Sequence, residues 1–149
     1  MPQWAMPADG TIYLVEVKYG LYLNQLIFHY TSASNGEGAI TLGGYDSGSS
    51  HAQFALAKGE QIRTLKGLYG SYIDSLQIVT SLHTYPASGS YGGPGGGTPY
   101  TFNVPLKGQL AGLFGRAGAW IDALGVVYLV PQLIPPPPVQ VVSQGNIAH

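Results

Sequence analysis

Three times this 149-residue chain closes a short phrase with a carboxylate or its amide: Gly20-Leu-Tyr-Leu-Asn24, Gly70-Ser-Tyr-Ile-Asp74 and Gly118-Ala-Trp-Ile-Asp122. Each phrase is a glycine, a variable residue, an aromatic, an aliphatic and an acceptor, and the copies start 50 and then 48 residues apart. Each runs on into a branched-apolar stretch: Gln25-Leu-Ile-Phe28, Ser75-Leu-Gln-Ile78 and Ala123-Leu-Gly-Val126. Three turn-plus-strand units that each present an acceptor imply three equivalent sites. Repeated weak sites are how a binder gains strength without gaining contacts. The chemistry is that of recognition rather than catalysis.

The other reactive side chains form no competing centre. His29, His51, His83 and His149 are scattered without metal-ligand spacing, so surface or strand-end roles are expected and no metal. Glu16, Glu37, Asp46 and Glu60 show no acid-base pairing and are expected at solvated turn or strand positions. A glycosidase needs two carboxylates about 5–9.5 Å apart, and Asp74 and Asp122 belong to different repeats. The glycines from Gly92 to Gly97 lack the following Gly-Lys-Ser/Thr of a phosphate loop.

Composition narrows the partners further. Charged residues make up 9% of the chain and the net charge is -1, which leaves no basic surface for nucleic acid. The absence of cysteine excludes disulfides and thiolate metal sites, so packing and sheet hydrogen bonds must hold the fold. The start Met1-Pro-Gln-Trp-Ala-Met6 lacks a basic leader with an apolar core, and the longest largely apolar run, Ala123 to Ile134, is broken by Pro131 and Gln132. Neither signal peptide nor membrane insertion is expected, which fits a cytoplasmic chain or one released without a leader.

What must position the phrases is a set of strands. The 22 glycines, 11 prolines and 11 tyrosines are the makeup of turns and strands in one all-β domain. Period-two alternation and β-branched content predict strands at Ile12 to Tyr19, Gln25 to Tyr30, His51 to Leu56, Ile62 to Leu65, Tyr72 to Leu82, Tyr100 to Val104, Gln109 to Phe114 and Ile121 to Val130. A helix over Ser50 to Lys66 is disfavoured by the alternation of Phe54 and Leu56 and by Gly59. Glycine-rich loops follow the first two phrases, at Gly43 to Gly48 and Tyr91 to Gly97. Beyond Val130, Pro135 to Pro138 form a stiff spacer, and Val139 to Val142 suggest a short strand seeking an edge, in its own fold or in a neighbour's.

These residues resemble the jacalin-related lectins. The match is carried by Gly97-Thr-Pro-Tyr-Thr-Phe102, then Gly112-Leu-Phe-Gly-Arg-Ala-Gly118 and Ile121-Asp-Ala-Leu-Gly125, in the family's order and spacing, and covers roughly residues 4 to 130. It implies a β-prism of three four-stranded antiparallel sheets with pseudo-threefold symmetry over residues 1–130, followed by a proline-rich tail over 131–149 that adds a strand or mediates oligomerisation. Three acceptor-ended phrases also resemble the griffithsin type, with three sugar sites per prism.

The resemblance implies a lectin, not an enzyme, that binds mannose- or glucose-containing glycans and glycoproteins as a homo-oligomer without a cofactor. By it, each Gly-x-x-x-Asp loop donates two backbone amides and accepts through its Asp, while a glycine-loop amide completes the site. The third site is then Gly118, Ala119, Trp120 and Asp122; the second is Gly70, Ser71, Tyr72 and Asp74 with Gly96; the first is Gly20, Leu21, Tyr22 and Asn24 with Gly48. Asn24 stands where the family has Asp, and a neutral acceptor is worth about 1 kcal/mol against roughly 1.5–3 for a charged one, so the first site is expected to be weak or silent. The family's N-terminal glycine loop, which serves the third site, is cut short, with Trp4 aligned to the aromatic after it. The galactose binders of the family are processed to a free N-terminal glycine, which Met1-Pro2 does not offer. The alternatives are such a galactose-type lectin and a structural or protein-binding prism with decayed sites.

The chemistry suits a hexose. A sugar is an uncharged disc with a rim of hydroxyls, each donor and acceptor, and apolar C–H faces. A tight bend supplies rigid donors, the acid supplies two acceptor oxygens, and an aromatic at the third position either stacks on a face or flanks the loop. The glycines are expected where backbone approaches ligand, at positive φ. A handful of such bonds in open water gives affinities near millimolar, about −4 kcal/mol, which multivalency raises by roughly 10²–10⁴.

Overall fold

A computed structural model describes residues 5–43, 50–93 and 96–131, together with the backbone of 139–141. The described residues form strands and no helix. In order these are β1 (Gly10–Tyr19), β2 (Leu23–Ser32), β3 (Gly36–Leu42), β4 (Ser50–Ala55), β5 (Ile62–Tyr69), β6 (Ser75–Thr80), β7 (Thr84–Tyr85), β8 (Tyr91–Gly92), β9 (Thr98–Asn103), β10 (Gln109–Ala117), β11 (Ile121–Leu129) and β12 (Val139–Val141).

Strand character follows the alternation. Along β2, Leu26, Phe28, Tyr30 and Ser32 are buried while Gln25, Ile27, His29 and Thr31 lie between them on the outer face. The inward sets of every hairpin meet in one core that includes Val15, Val17, Leu26, Phe28, Leu65, Leu76, Ile78, Phe102, Leu124 and Val126. Each fully buried side chain of this size contributes about 1.5–3 kcal/mol.

All three sheets are antiparallel and each is built on one hairpin. The first has the order β3-β2-β1-β4, the second places β7 and β8 beside β6 and continues through β5 to β9, and the third runs β10-β11-β12. Four strands per sheet are therefore not what is seen among the described residues: the sheets have four, five and three. The reasons are local. In the second sheet one edge is split, because β7 pairs with Ile78 and Val79 and β8 with Ser75 and Leu76, with a chain excursion through Pro86 to Ser90 between them. In the third, the position beside β10 is held, among the described residues, by an isolated bridge of Ala5 to Gly112 and a hydrogen bond from the Met6 N–H to the Ala111 carbonyl at 2.8 Å. On its other side β12 pairs with Val127, Tyr128 and Leu129 of β11.

Several expectations fall outside the described residues: the packing of Trp4, the setting of Asp46 and Gly48, the proline run and the residues after 141.

Candidate functional site

Each phrase is the bend of a hairpin. The bends close with the same hydrogen bond, from the glycine N–H to the carbonyl of the third-position aromatic: Gly20 to Tyr22 at 3.0 Å, Gly70 to Tyr72 at 2.9 Å and Gly118 to Trp120 at 2.9 Å. The register repeats as well, with Tyr19 opposite Leu23, Tyr69 opposite Ile73 and Ala117 opposite Ile121. In the first and third hairpins the ladder then skips the acceptor, passing from Leu23 to Gln25 and from Ile121 to Ala123. Asn24 and Asp122 thus sit in bulges, which re-aim side chains off the sheet. In the second, the Asp74 N–H bonds the Leu68 carbonyl at 2.9 Å.

The three bends meet at one end of the fold. Their aromatics form a closed triangle, with ring centres 5.0 Å apart for Tyr22 and Tyr72, 4.8 Å for Tyr72 and Trp120, and 5.6 Å for Tyr22 and Trp120. Of the two roles open to the aromatic, the structure shows the flanking one, in which each ring packs on the other two. Beneath them Leu23, Ile73 and Ile121 are buried, linked by hydrogen bonds from Leu23 N–H to the Ile73 carbonyl at 3.0 Å and from Ile73 N–H to the Ile121 carbonyl at 2.8 Å. The three acceptors therefore surround a common axis.

At the second phrase, Gly70, Ser71, Tyr72, Asp74 and Gly96 come together around one concavity of about 360 Å³, joined by Gly97, Leu21 and Tyr22. Asp74 is 8% exposed. Burial alone pushes its carboxyl above the ordinary aspartate range, with no donor offsetting it among the described residues. Its backbone is fixed from below. The Tyr100 hydroxyl, itself shifted upward by burial and by the Asp74 charge, donates to the Ser75 carbonyl at 2.8 Å, and the Leu68 N–H donates to Ser75 Oγ at 3.1 Å.

The glycines divide into two kinds. Gly92 (φ +102°) and Gly43 (φ +96°) are required by the fold: a Cβ would lie 2.3 Å from the carbonyl oxygen of Asp74 or of Asn24 respectively. Gly97 is required too, since its Cβ would meet Asp74 Oδ2 and the Tyr69 carbonyl, each at 2.5 Å. Gly70 and Gly118 are not at positive φ, contrary to expectation. A Cβ there would meet nothing within 4 Å, except Asp74 Oδ2 at 3.6 Å from that of Gly70. Among the described residues nothing fills the space above them.

At the third phrase Gly118, Ala119 and Trp120 are exposed and Asp122 is half-buried. At the first, Asn24 is 4% exposed and its Nδ2 donates to the Ala119 carbonyl at 2.8 Å, so the first bend is tied to the third. Gly20 is half-buried, and Gly48 lies outside the described residues.

Two acids are not solvated as expected. On the outer face of the first sheet Glu16 accepts from His29 and, at 2.8 Å, meets His51 Nε2; the His29 contact holds its carboxyl below the usual range. Glu60 is buried, accepting from Ala57 N–H at 2.8 Å, from Thr80 Oγ1, and meeting His83 Nδ1 at 3.1 Å; burial raises its pKa, but these bonds outweigh it and leave it lowered. Partners 13 to 35 residues away carry no local sequence signal. No group of three or more metal-ligating side chains is assembled among the described residues.

Comparison with known proteins completes the identification. The jacalin-like lectin domain matches residues 3–127. Horcolin from Hordeum vulgare subsp. vulgare is 30% identical over 117 residues, which is 77% of this chain and 79% of horcolin. A mannose/glucose-specific lectin from Parkia pendula is 38% identical over 73 residues, 45% of this chain and 15% of that lectin. The structure of a galactose-specific lectin from Artocarpus hirsuta superposes with a TM-score of 0.69 at 20% identity, covering 86% of this chain and 98% of the other, so the β-prism fold is shared with it. The chain belongs to the jacalin-like lectin domain family, whose members are non-catalytic carbohydrate-binding proteins.

Proposed function

We propose that the protein is a lectin for mannose- or glucose-type glycans and glycoproteins, with working sites at the second and third phrases. The observation that carries this reading is the concavity at Asp74: a buried carboxylate with no donor among the described residues, beside glycines whose faces the described residues leave open. A ligand rich in hydroxyls supplies the missing donors and occupies that space. In the second site the amides of Ser71 and Tyr72 donate to one edge of the sugar, Asp74 accepts from two hydroxyls, and the Gly96 amide completes the ring of contacts. In the third, the amides of Ala119 and Trp120 act with Asp122. The similarity to the Parkia pendula mannose/glucose-specific lectin favours those hexoses over galactose.

The first phrase does not bind sugar in this reading, because its carboxamide is spent on the Ala119 carbonyl. It serves the third site instead. The carbonyl of Ala119 and the N–H of Trp120 share one peptide plane, so holding the oxygen aims the donor. Two sites at one end of a prism, multiplied in a homo-oligomer, then give useful avidity for branched glycans. Residues 131–149 act as an accessory to the lectin domain of 1–130, lending β12 to the third sheet.

Calorimetry with methyl mannoside and methyl galactoside on wild type, Asp74→Ala and Asp122→Ala tests the assignment. Each substitution is expected to remove one site for mannoside. Undiminished binding in both overturns it, and preference for galactoside overturns the specificity alone.

A further inference from the structure

Leu21 is 72% exposed, yet it belongs to the wall of the second concavity rather than to open surface. Singly exposed leucines such as Leu82 and Leu106 need no explanation. Leu21 differs because the fold fastens it in place. One amide, that of Gly93, donates both to the Leu21 carbonyl at 2.9 Å and to the Asp74 carbonyl at 3.1 Å. A side chain at Gly93 is not tolerated, as its Cβ would stand 2.4 Å from the Leu21 oxygen. The leucine of the first bend is thus locked to the backbone of the second site's acid.

The make-up of the wall points the same way. Gly70, Ser71, Asp74 and Gly96 bring polar groups to the concavity, whereas Leu21 and Tyr22 of the neighbouring repeat bring an apolar side chain and a ring.

We propose that the second site is a disaccharide site, in which Leu21 receives the apolar C–H face of the second pyranose while the first is held at Asp74. This rests on the assignment of Asp74 made above. Leu21 is then a specificity-determining residue: it touches ligand only when a second sugar is attached, so it distinguishes oligosaccharide from monosaccharide without changing the hydrogen-bonded subsite.

The test is a ¹H–¹⁵N titration of the full chain, following the Gly70, Ser71 and Gly96 amides, with methyl mannoside and with α1,2-, α1,3- and α1,6-linked mannobiose. Wild type is expected to bind at least one mannobiose about fivefold tighter than methyl mannoside at these amides, on the order of what covering part of a leucine side chain yields. Leu21→Ser is expected to erase that advantage and leave the methyl mannoside affinity unchanged, which also shows that the variant is folded. An equal preference in wild type and Leu21→Ser, or no preference in wild type, overturns the inference while leaving the Asp74 site standing. Absence of any methyl mannoside response at these amides removes the site assignment and the inference together.

Discussion

Replacing Gly70 by alanine separates a ligand role from a folding role, because the two predict opposite signs. The φ of Gly70 lies outside the left-handed region, and the one atom within 4 Å of an added Cβ is Asp74 Oδ2 at 3.6 Å, an ordinary contact. The folded protein therefore accepts the methyl, and the narrowed unfolded ensemble stabilises it by about 0.4–1 kcal/mol. With ligand the sign reverses. The methyl stands in the concavity beside the carboxylate that should accept sugar hydroxyls, and losing one charge-assisted bond costs about 1.5–3 kcal/mol, roughly ten- to a hundredfold in affinity. Gly92→Ala is the contrasting control: with φ at +102° and a Cβ 2.3 Å from the Asp74 carbonyl it should destabilise by about 1–3 kcal/mol. Thermal melts with mannoside titrations of both variants decide the matter. A Gly70→Ala protein that melts lower than wild type, or binds mannoside as well, would refute the reasoning.

Asp74→Asn should raise stability at neutral pH and abolish second-site binding. Because burial raises the folded pKa above the unfolded value, stability is lost as pH climbs between the two, and a neutral side chain removes that cost, so the melting temperature at neutral pH should rise and its pH dependence through the carboxylate range should weaken. By the same shift, mannoside affinity at the Gly70 and Ser71 amides should fall on acidification at a higher pH than an ordinary aspartate would give. Asn24→Asp replaces a donor with an acceptor 2.8 Å from the Ala119 carbonyl and should weaken third-site binding at least tenfold, read at the Trp120 amide, with the second site unchanged. Glu16→Gln should flatten acid unfolding: the depressed Glu16 carboxyl contributes stability above its unfolded pKa that is lost as pH falls through the folded one, and urea midpoints from pH 7 to 3 measure it. Deleting residues 131–149 uncovers the β11 edge at Val127 to Leu129 and should lower the melting temperature and promote self-association, seen by light scattering.

The sequence made the long hairpin strands legible through alternation in β2 and through apolar and β-branched content in β10 and β11, whose middles are buried without a break; the expected Gln109 to Phe114 and Ile121 to Val130 overlap β10 and β11 within a few residues. It hid β3, where Gly36-Glu-Gly38 looks like a loop. Gly38 is there because a Cβ would strike the Tyr30 hydroxyl at 2.4 Å, so a glycine that signals a turn in sequence marks a cross-strand contact in space. It extended the strand at Tyr72 to Leu82 through residues that form the bend, since an aromatic followed by Ile-Asp carries strand-like composition. The phrases themselves were visible as local patterns. The clamp on Leu21, the Asn24 brace and the histidines around Glu16 were not, because each joins residues distant in sequence through atoms whose meeting depends on how the hairpins assemble.

That assembly explains why one copy of a repeated phrase is free to change chemistry. Around an axis where three bends touch, the aromatics pack on one another and the Leu23 and Ile73 amides bond carbonyls of neighbouring bends, so on the proposed assignment an acceptor has two uses, outward to sugar or sideways to the next bend. A carboxylate can act only outward, since a neighbouring carbonyl repels it. A carboxamide of the same shape gains two donors and turns sideways, as Asn24 does toward Ala119. Substituting one nitrogen for one oxygen thus moves the first phrase from ligand to support. Leu21 follows the same logic on that assignment: its own bend holding no sugar, it lines its neighbour's concavity. On the proposed assignment the unequal repeat is a division of labour, in which one bend stiffens and shapes the sites made by the other two.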